Sequence, residues 1–207
     1  MDRRQSIALL TLGIVGAGVG GLILTADDDA TAPADETATS GSPSSSPTTV
    51  APNVPDLPDR GLHPPLLAND GWLQSGITSL EELKGKVVAV QFWTFGCHNC
   101  TATIPHMRAL YDKYDREDFE IVGIHAAEFE FEKDPEAISE AAADQGVTWP
   151  ILLDTDKKSF RSWQDRRFWP RLYLLDRDGH IRYDKIGEGR YDEIDAAVGA
   201  LISETSA

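Results

Sequence analysis

The stretch Val87-Val88-Ala89-Val90-Gln91-Phe92-Trp93-Thr94-Phe95-Gly96-Cys97-His98-Asn99-Cys100 decides the fold. Its first seven residues have the length and β-branched content of a buried strand. Beyond Cys100, the apolar residues Ile104, Met107, Leu110, Tyr111 and Tyr114 recur at spacings of three and four, which predicts a helix. Cys97 and Cys100, the two cysteines of the chain, therefore fall at a strand-to-helix turn. The unpaired N–H groups and the positive end of a helix dipole favour a thiolate over a thiol there. A lone C-x-x-C so placed points to a redox site, and the thiolate is the species that reacts.

Working outward, the pattern of strand and helix repeats. Phe119 to His125 reads as a strand. Asp134-Pro135 opens a helix running to about Gln145, with Gly146 as its stop, since proline is favoured at a first helical position. Trp149 to Leu153 reads as a short strand and Asp156 to Trp163 as a short helix. Arg171 to Asp176 and His180 to Ile186 are strands joined by the turn Arg177-Asp178-Gly179. Asp192 is expected to cap a last helix ending near Ser203, with Ile194, Val198, Leu201 and Ile202 on its buried face. The alternation predicts an α/β domain with a central mixed sheet flanked by helices.

The chain before this domain has a different composition. After Arg3 and Arg4, residues 7–26 carry no charge, a length that spans a bilayer as a helix. Residues 1–26 are read as a transmembrane signal anchor, in preference to a cleaved signal peptide. Either reading exports the rest of the chain. Residues 27–60, rich in Ala, Ser, Thr, Pro and Asp, hold too little apolar surface to offset ordering entropy and read as a disordered tether. Residues 61–207 are the folded domain, of ordinary single-domain size. The formal charge of −15 argues against nucleic acid and against docking on anionic lipid.

The residues carry a family likeness. The C-x-x-C at a strand–helix turn and Phe168-Trp169-Pro170 before a hairpin strand resemble a thioredoxin-like fold. Further blocks are Gly123-Ile124-His125, Glu128-Phe129, Phe131-Glu132-Lys133, Tyr173-Leu174-Leu175-Asp176 and Gly187-Glu188-Gly189. Together they resemble exported redoxin-domain proteins of the TlpA/ResA type, closest to the C-terminal redoxin domain of the DipZ type. The likeness covers residues 70 to 203.

This resemblance implies roles for particular residues. Cys97 matches the attacking cysteine and Cys100 the resolving one, which breaks a mixed disulfide. Pro170 matches a cis-proline that leaves the Trp169 backbone free to pair with an extended substrate. Trp93 and Trp169 match residues that wall the site, and Pro105 one that kinks the helix. The implied partners are proteins with disulfides or thiols, such as apocytochromes c, and a membrane electron donor of the CcdA or DsbD kind. No cofactor and no metal are implied.

Departures from the family pattern leave the proton acceptor open. The two positions where relatives carry an acid fall on Gln91 and Thr103. Cys100 must lose its proton to attack, and Glu128, following the strand that ends at His125, is the candidate acceptor. His125 reads as a packed strand-end residue. His98, between the cysteines, is a candidate for stabilising the Cys97 thiolate by partial positive charge, which would make the disulfide more oxidising.

Two other functions are weighed on the same residues. A thiol peroxidase would use a threonine three residues before its cysteine, which is Thr94 for Cys97, but the proline of that motif is absent. A metal module would need His98 or His106 to join the cysteines, a strained set because His98 lies inside the C-x-x-C.

Overall fold

The computed structural model describes residues 54–68 and 70–204. The segment read as an anchor, residues 1–26, and the stretch expected to be a tether, up to residue 53, lie outside the described residues. Among the described residues, no helix is long and apolar enough to cross a membrane.

Strands β1 (Trp72–Leu73), β2 (Val87–Trp93), β3 (Phe119–His125), β4 (Ile151–Leu153), β5 (Arg171–Leu175) and β6 (Ile181–Ile186) form one sheet in the spatial order β1-β4-β3-β2-β5-β6. Strands β2, β3 and β4 are mutually parallel, while β5 and β6 continue antiparallel. The unbroken apolar run of the opening stretch is explained by its place. β2 lies between β3 and β5, and all seven of its residues are buried. A strand covered on both faces needs apolar side chains on both.

Alternation along β2 feeds two cores. Val87, Ala89 and Trp93 face one core with helix α1 (His98–Lys113), helix α2 (Pro135–Gln145) and helix α4 (Tyr191–Ser203). Val88, Val90 and Phe92 face the other, with helix α3 (Lys158–Trp163) and the 3₁₀ turn Leu80–Leu83. The expected thioredoxin-like arrangement of a mixed sheet with helices on both faces is present.

Several local features differ from the sequence reading. Strand β1 pairs with β4 over two residues, too short for alternation to reveal it. The last helix begins at Tyr191 with Arg190 as its N-cap, so Asp192 lies in the first turn, where its charge meets the helix dipole, and caps nothing. The segment read as the end of the tether is part of the domain. Leu57 packs on the first core, the Arg60 N–H donates to Ile181 O at 2.9 Å, and Asp59 pairs with His180. One leucine in a polar stretch gives no periodic signal, and the cross-strand partners sit more than a hundred residues away.

Candidate active site

The end of β2 builds the site. The chain leaves Trp93 through Thr94-Phe95-Gly96 and enters α1 with Cys97 as the N-cap, in extended conformation. The Cys97 Sγ accepts the Cys100 N–H at 3.3 Å, so the sulfur itself satisfies one of the helix's unpaired donors. Cys97 is partly exposed, whereas Cys100, one turn on, is fully buried among Trp93, Ile104 and the rest of the first core. Burial, reinforced by the Cys97 sulfur, pushes the Cys100 thiol well above its ordinary range. One sulfur is thus presented to solvent and the other held behind it. His98 is the first residue of the helix and its side chain is exposed.

Register places the proline loop beside this turn. Arg171 pairs with Phe92, so Pro170 stands next to the end of β2, and the Trp169–Pro170 bond is cis. Trp169 is turned inward more than a wall residue would be. Its ring stacks on Phe160 at 4.2 Å and its Nε1 donates to Ala126 O at 3.0 Å, which ties the loop to the end of β3.

The two positions at which relatives carry an acid form a neutral pair. Gln91 Nε2 donates to Thr103 Oγ1 at 2.7 Å, and Thr103 Oγ1 donates to Cys100 O at 2.7 Å. Both side chains are buried, so an amide–hydroxyl bridge spans β2 and α1 where a carboxylate would have had to be desolvated.

The carboxylate near the cysteines comes from the loop after β3, and it is Glu132. The expectation for Glu128 is corrected here: its side chain is exposed and its backbone N–H donates to Glu132 Oε2 at 2.6 Å. The 3₁₀ turn Glu130–Lys133 reverses the chain and carries the Glu132 side chain inward to full burial. There Oε1 accepts the Gly96 N–H at 2.9 Å and Oε2 also accepts the Phe129 N–H at 2.9 Å, with the Thr94 hydroxyl a further donor. Burial alone would raise its pKa, but these donors outweigh it and hold the carboxyl below the usual range. In sequence Glu132 is one of three acids alternating with Phe129 and Phe131, and only the turn decides which of them points in.

His125 is fully buried at the end of β3, as a packed residue should be. Its Nε2 accepts the Phe95 N–H at 3.3 Å and meets Thr94 Oγ1 at 3.3 Å. Its ring stacks on Phe95 and stands edge-on to Trp93. Burial lowers its pKa to about 4, against a smaller opposing pull from Glu132. An imidazole that receives an N–H at Nε2 and is desolvated stays neutral at physiological pH. The Thr94 hydroxyl is committed between His125 and Glu132, and His106 stacks on Tyr191. Among the described residues no three His, Cys, Asp or Glu side chains cluster as metal ligands. Phe129 and Phe131 stack in the open beside this loop, with Phe131 edge-on to Phe95.

Comparison with known proteins agrees with this geometry. The Redoxin family model matches residues 73–201. Protein DipZ of Mycobacterium tuberculosis is 35% identical over 151 residues, covering 72% of this chain and 22% of DipZ, so the chain spans about a fifth of that relative. Thiol-disulfide oxidoreductase YkuV of Bacillus subtilis is 27% identical over 142 residues, covering 69% of this chain and 95% of YkuV. The solution structure of a thioredoxin-like protein in its oxidised form superposes with a TM-score of 0.61 at 27% identity, covering 73% of this chain and 98% of that one. The chain belongs to the redoxin family and has a thioredoxin-like fold.

Proposed function

We propose that the chain is a membrane-tethered, extracytoplasmic oxidoreductase that reduces disulfides of exported proteins through Cys97 and Cys100. The observation that carries this reading is the asymmetry of the two sulfurs, one partly exposed at a helix N-cap and one fully buried a turn behind. The Cys97 thiolate attacks one sulfur of a substrate disulfide, forming a mixed disulfide and releasing the other substrate sulfur as a thiol. Cys100 then gives up its proton and attacks Cys97 Sγ. The Cys97–Cys100 disulfide forms, the second substrate thiol leaves, and two electrons have passed to the substrate.

Pro170, next to the end of β2, and Trp169 supply the edge against which an extended substrate segment would lie. Tethering rests on the uncharged segment 7–26 and the polar stretch that follows it. In this scheme a membrane electron donor of the CcdA or DsbD kind returns the disulfide to the dithiol, and apocytochromes c are among the substrates. Donation of the disulfide to substrates is the reverse of the same exchange.

Replacing Cys100 with Ala in cells tests the scheme by trapping substrates on Cys97. Recovery of exported proteins in disulfide linkage to Cys97, lost in Cys97→Ser, is the expected result. An absence of mixed disulfides, with no reduction of insulin by the purified chain, would sink the reading.

A further inference from the structure

We propose that Glu132 is a positioning residue that fixes the direction of exchange, its buried negative charge biasing Cys97–Cys100 toward the disulfide and so making the dithiol an electron donor. The inference rests on the exchange reading above and adds to it the group that sets the balance.

The geometry is specific. Oε1 is bonded to the N–H of Gly96, the residue before Cys97, while Oε2 takes the N–H groups of Glu128 and Phe129. The donors that hold the carboxylate are N–H and O–H groups, not cations. They keep it ionised and leave its net charge in place. His125, the base in this network, does not neutralise it, because burial and the Phe95 N–H keep that ring uncharged. The other charged groups of the turn are Glu128, Glu130 and Lys133, and the Lys133 ammonium is paired with Glu130 at 2.7 Å. From α1 the facing groups are the two cysteines and the exposed His98. Glu132 accordingly counts among the influences that push the Cys100 thiol up, after burial and the Cys97 sulfur.

A charge acts on thiolates and leaves a neutral disulfide alone. Glutathione reports the balance directly: the protein disulfide and two glutathione thiols exchange with the protein dithiol and one glutathione disulfide. A buried carboxylate bonded to the turn that carries the sulfurs makes a thiolate in the dithiol state less stable, which shifts this exchange toward the protein disulfide. The same carboxylate is a poor proton acceptor, since protonating it would cost several donated bonds. Its part is therefore electrostatic and positional.

The test is the equilibrium of the full-length chain with glutathione redox buffers, for wild type and Glu132→Gln. The variant should shift the equilibrium toward the dithiol by a factor that grows with pH from about 8.5 upward, reaching about tenfold, equivalent to about 30 mV, for a one-unit fall in the pKa of a fully ionised thiol. Near about pH 5, where thiols bind their protons, the shift should vanish. A purely structural role would give a shift that does not depend on pH. Phe131→Lys, at an exposed position beside the Gly96 loop, keeps every buried bond and adds an opposing charge. It should move the equilibrium in the same direction by a smaller factor, and it serves if Glu132→Gln fails to fold. A wild-type chain that exchanges with glutathione while neither folded variant shows a pH-dependent shift overturns this inference and leaves the exchange reading intact. A shift toward the disulfide overturns it equally. A wild type that does not exchange at all overturns both.

Discussion

The Glu132 carboxylate accepts the backbone N–H of Gly96 at 2.9 Å, one residue before Cys97. A Cβ at position 96 would collide with Glu132 Oε1 and press on the Phe131 ring. The glycine is required by the close approach of a side chain. Gly96→Ala should therefore displace the carboxylate and the cysteine turn together, costing about 1–3 kcal/mol as other overpacked sites do. Urea unfolding and insulin reduction should both report it; an alanine variant as stable and active as wild type would contradict the contact.

Glu132→Ala should cost more. It leaves the N–H groups of Gly96, Glu128 and Phe129 without their acceptor, and each loses a charge-assisted bond. A loss of about 3 kcal/mol or more is expected if water fails to replace the carboxylate. The measurement is the denaturant midpoint at constant m-value.

Stability should fall on mild acidification because of His125. Its folded pKa of about 4 lies below the ordinary 6.5, so between these values the unfolded chain binds a proton that the folded chain refuses. Stability is full above 6.5 and declines as pH falls toward 4, by about 3 kcal/mol in all. Glu132, held below its ordinary 4.5, adds a loss only once pH drops beneath that value. Unfolding curves for wild type and His125→Asn across this window should differ in slope, the variant being flatter.

At the alkaline end the redox state should decide stability. The buried Cys100 thiol is pushed above its ordinary 9.0, so the unfolded chain releases that proton first. Above 9.0 the reduced chain should lose stability at up to about 1.4 kcal/mol per pH unit, while the oxidised chain, with no thiol to titrate, escapes this loss. Parallel thermal scans of the two forms check it.

Trp169→Phe removes the bond from Nε1 to Ala126 O while a ring remains to stack on Phe160. The expected cost is about 1 kcal/mol. Substrate reduction should fall by more than stability does, because the bond holds the proline loop beside the cysteines. Equal effects on both would show that the bond serves packing alone.

What the sequence determined by itself is what periodicity and covalent chemistry encode. The unbroken apolar run of β2, the three-and-four spacing of α1 and the C-x-x-C between them specify a buried strand, a helix and a sulfur pair at their junction. Asp134-Pro135 and Gly146 mark the ends of α2 for equally local reasons: Asp134 accepts the Glu136 N–H and Gly146 takes the left-handed conformation. The tertiary structure alone decided which polar groups meet. Sequence pattern does not separate Glu132 from Glu128 or Glu130; a 3₁₀ turn folds its carboxylate back onto the Glu128 and Phe129 N–H groups, and the tertiary fold adds the donor at Gly96, 36 residues earlier. The pairing of Gln91 with Thr103 likewise needs β2 and α1 side by side. So do the inward turn of Trp169 and the docking of Leu57. Burial energies of apolar stripes are written along the chain, but a buried charge is placed only by donors that folding brings to it.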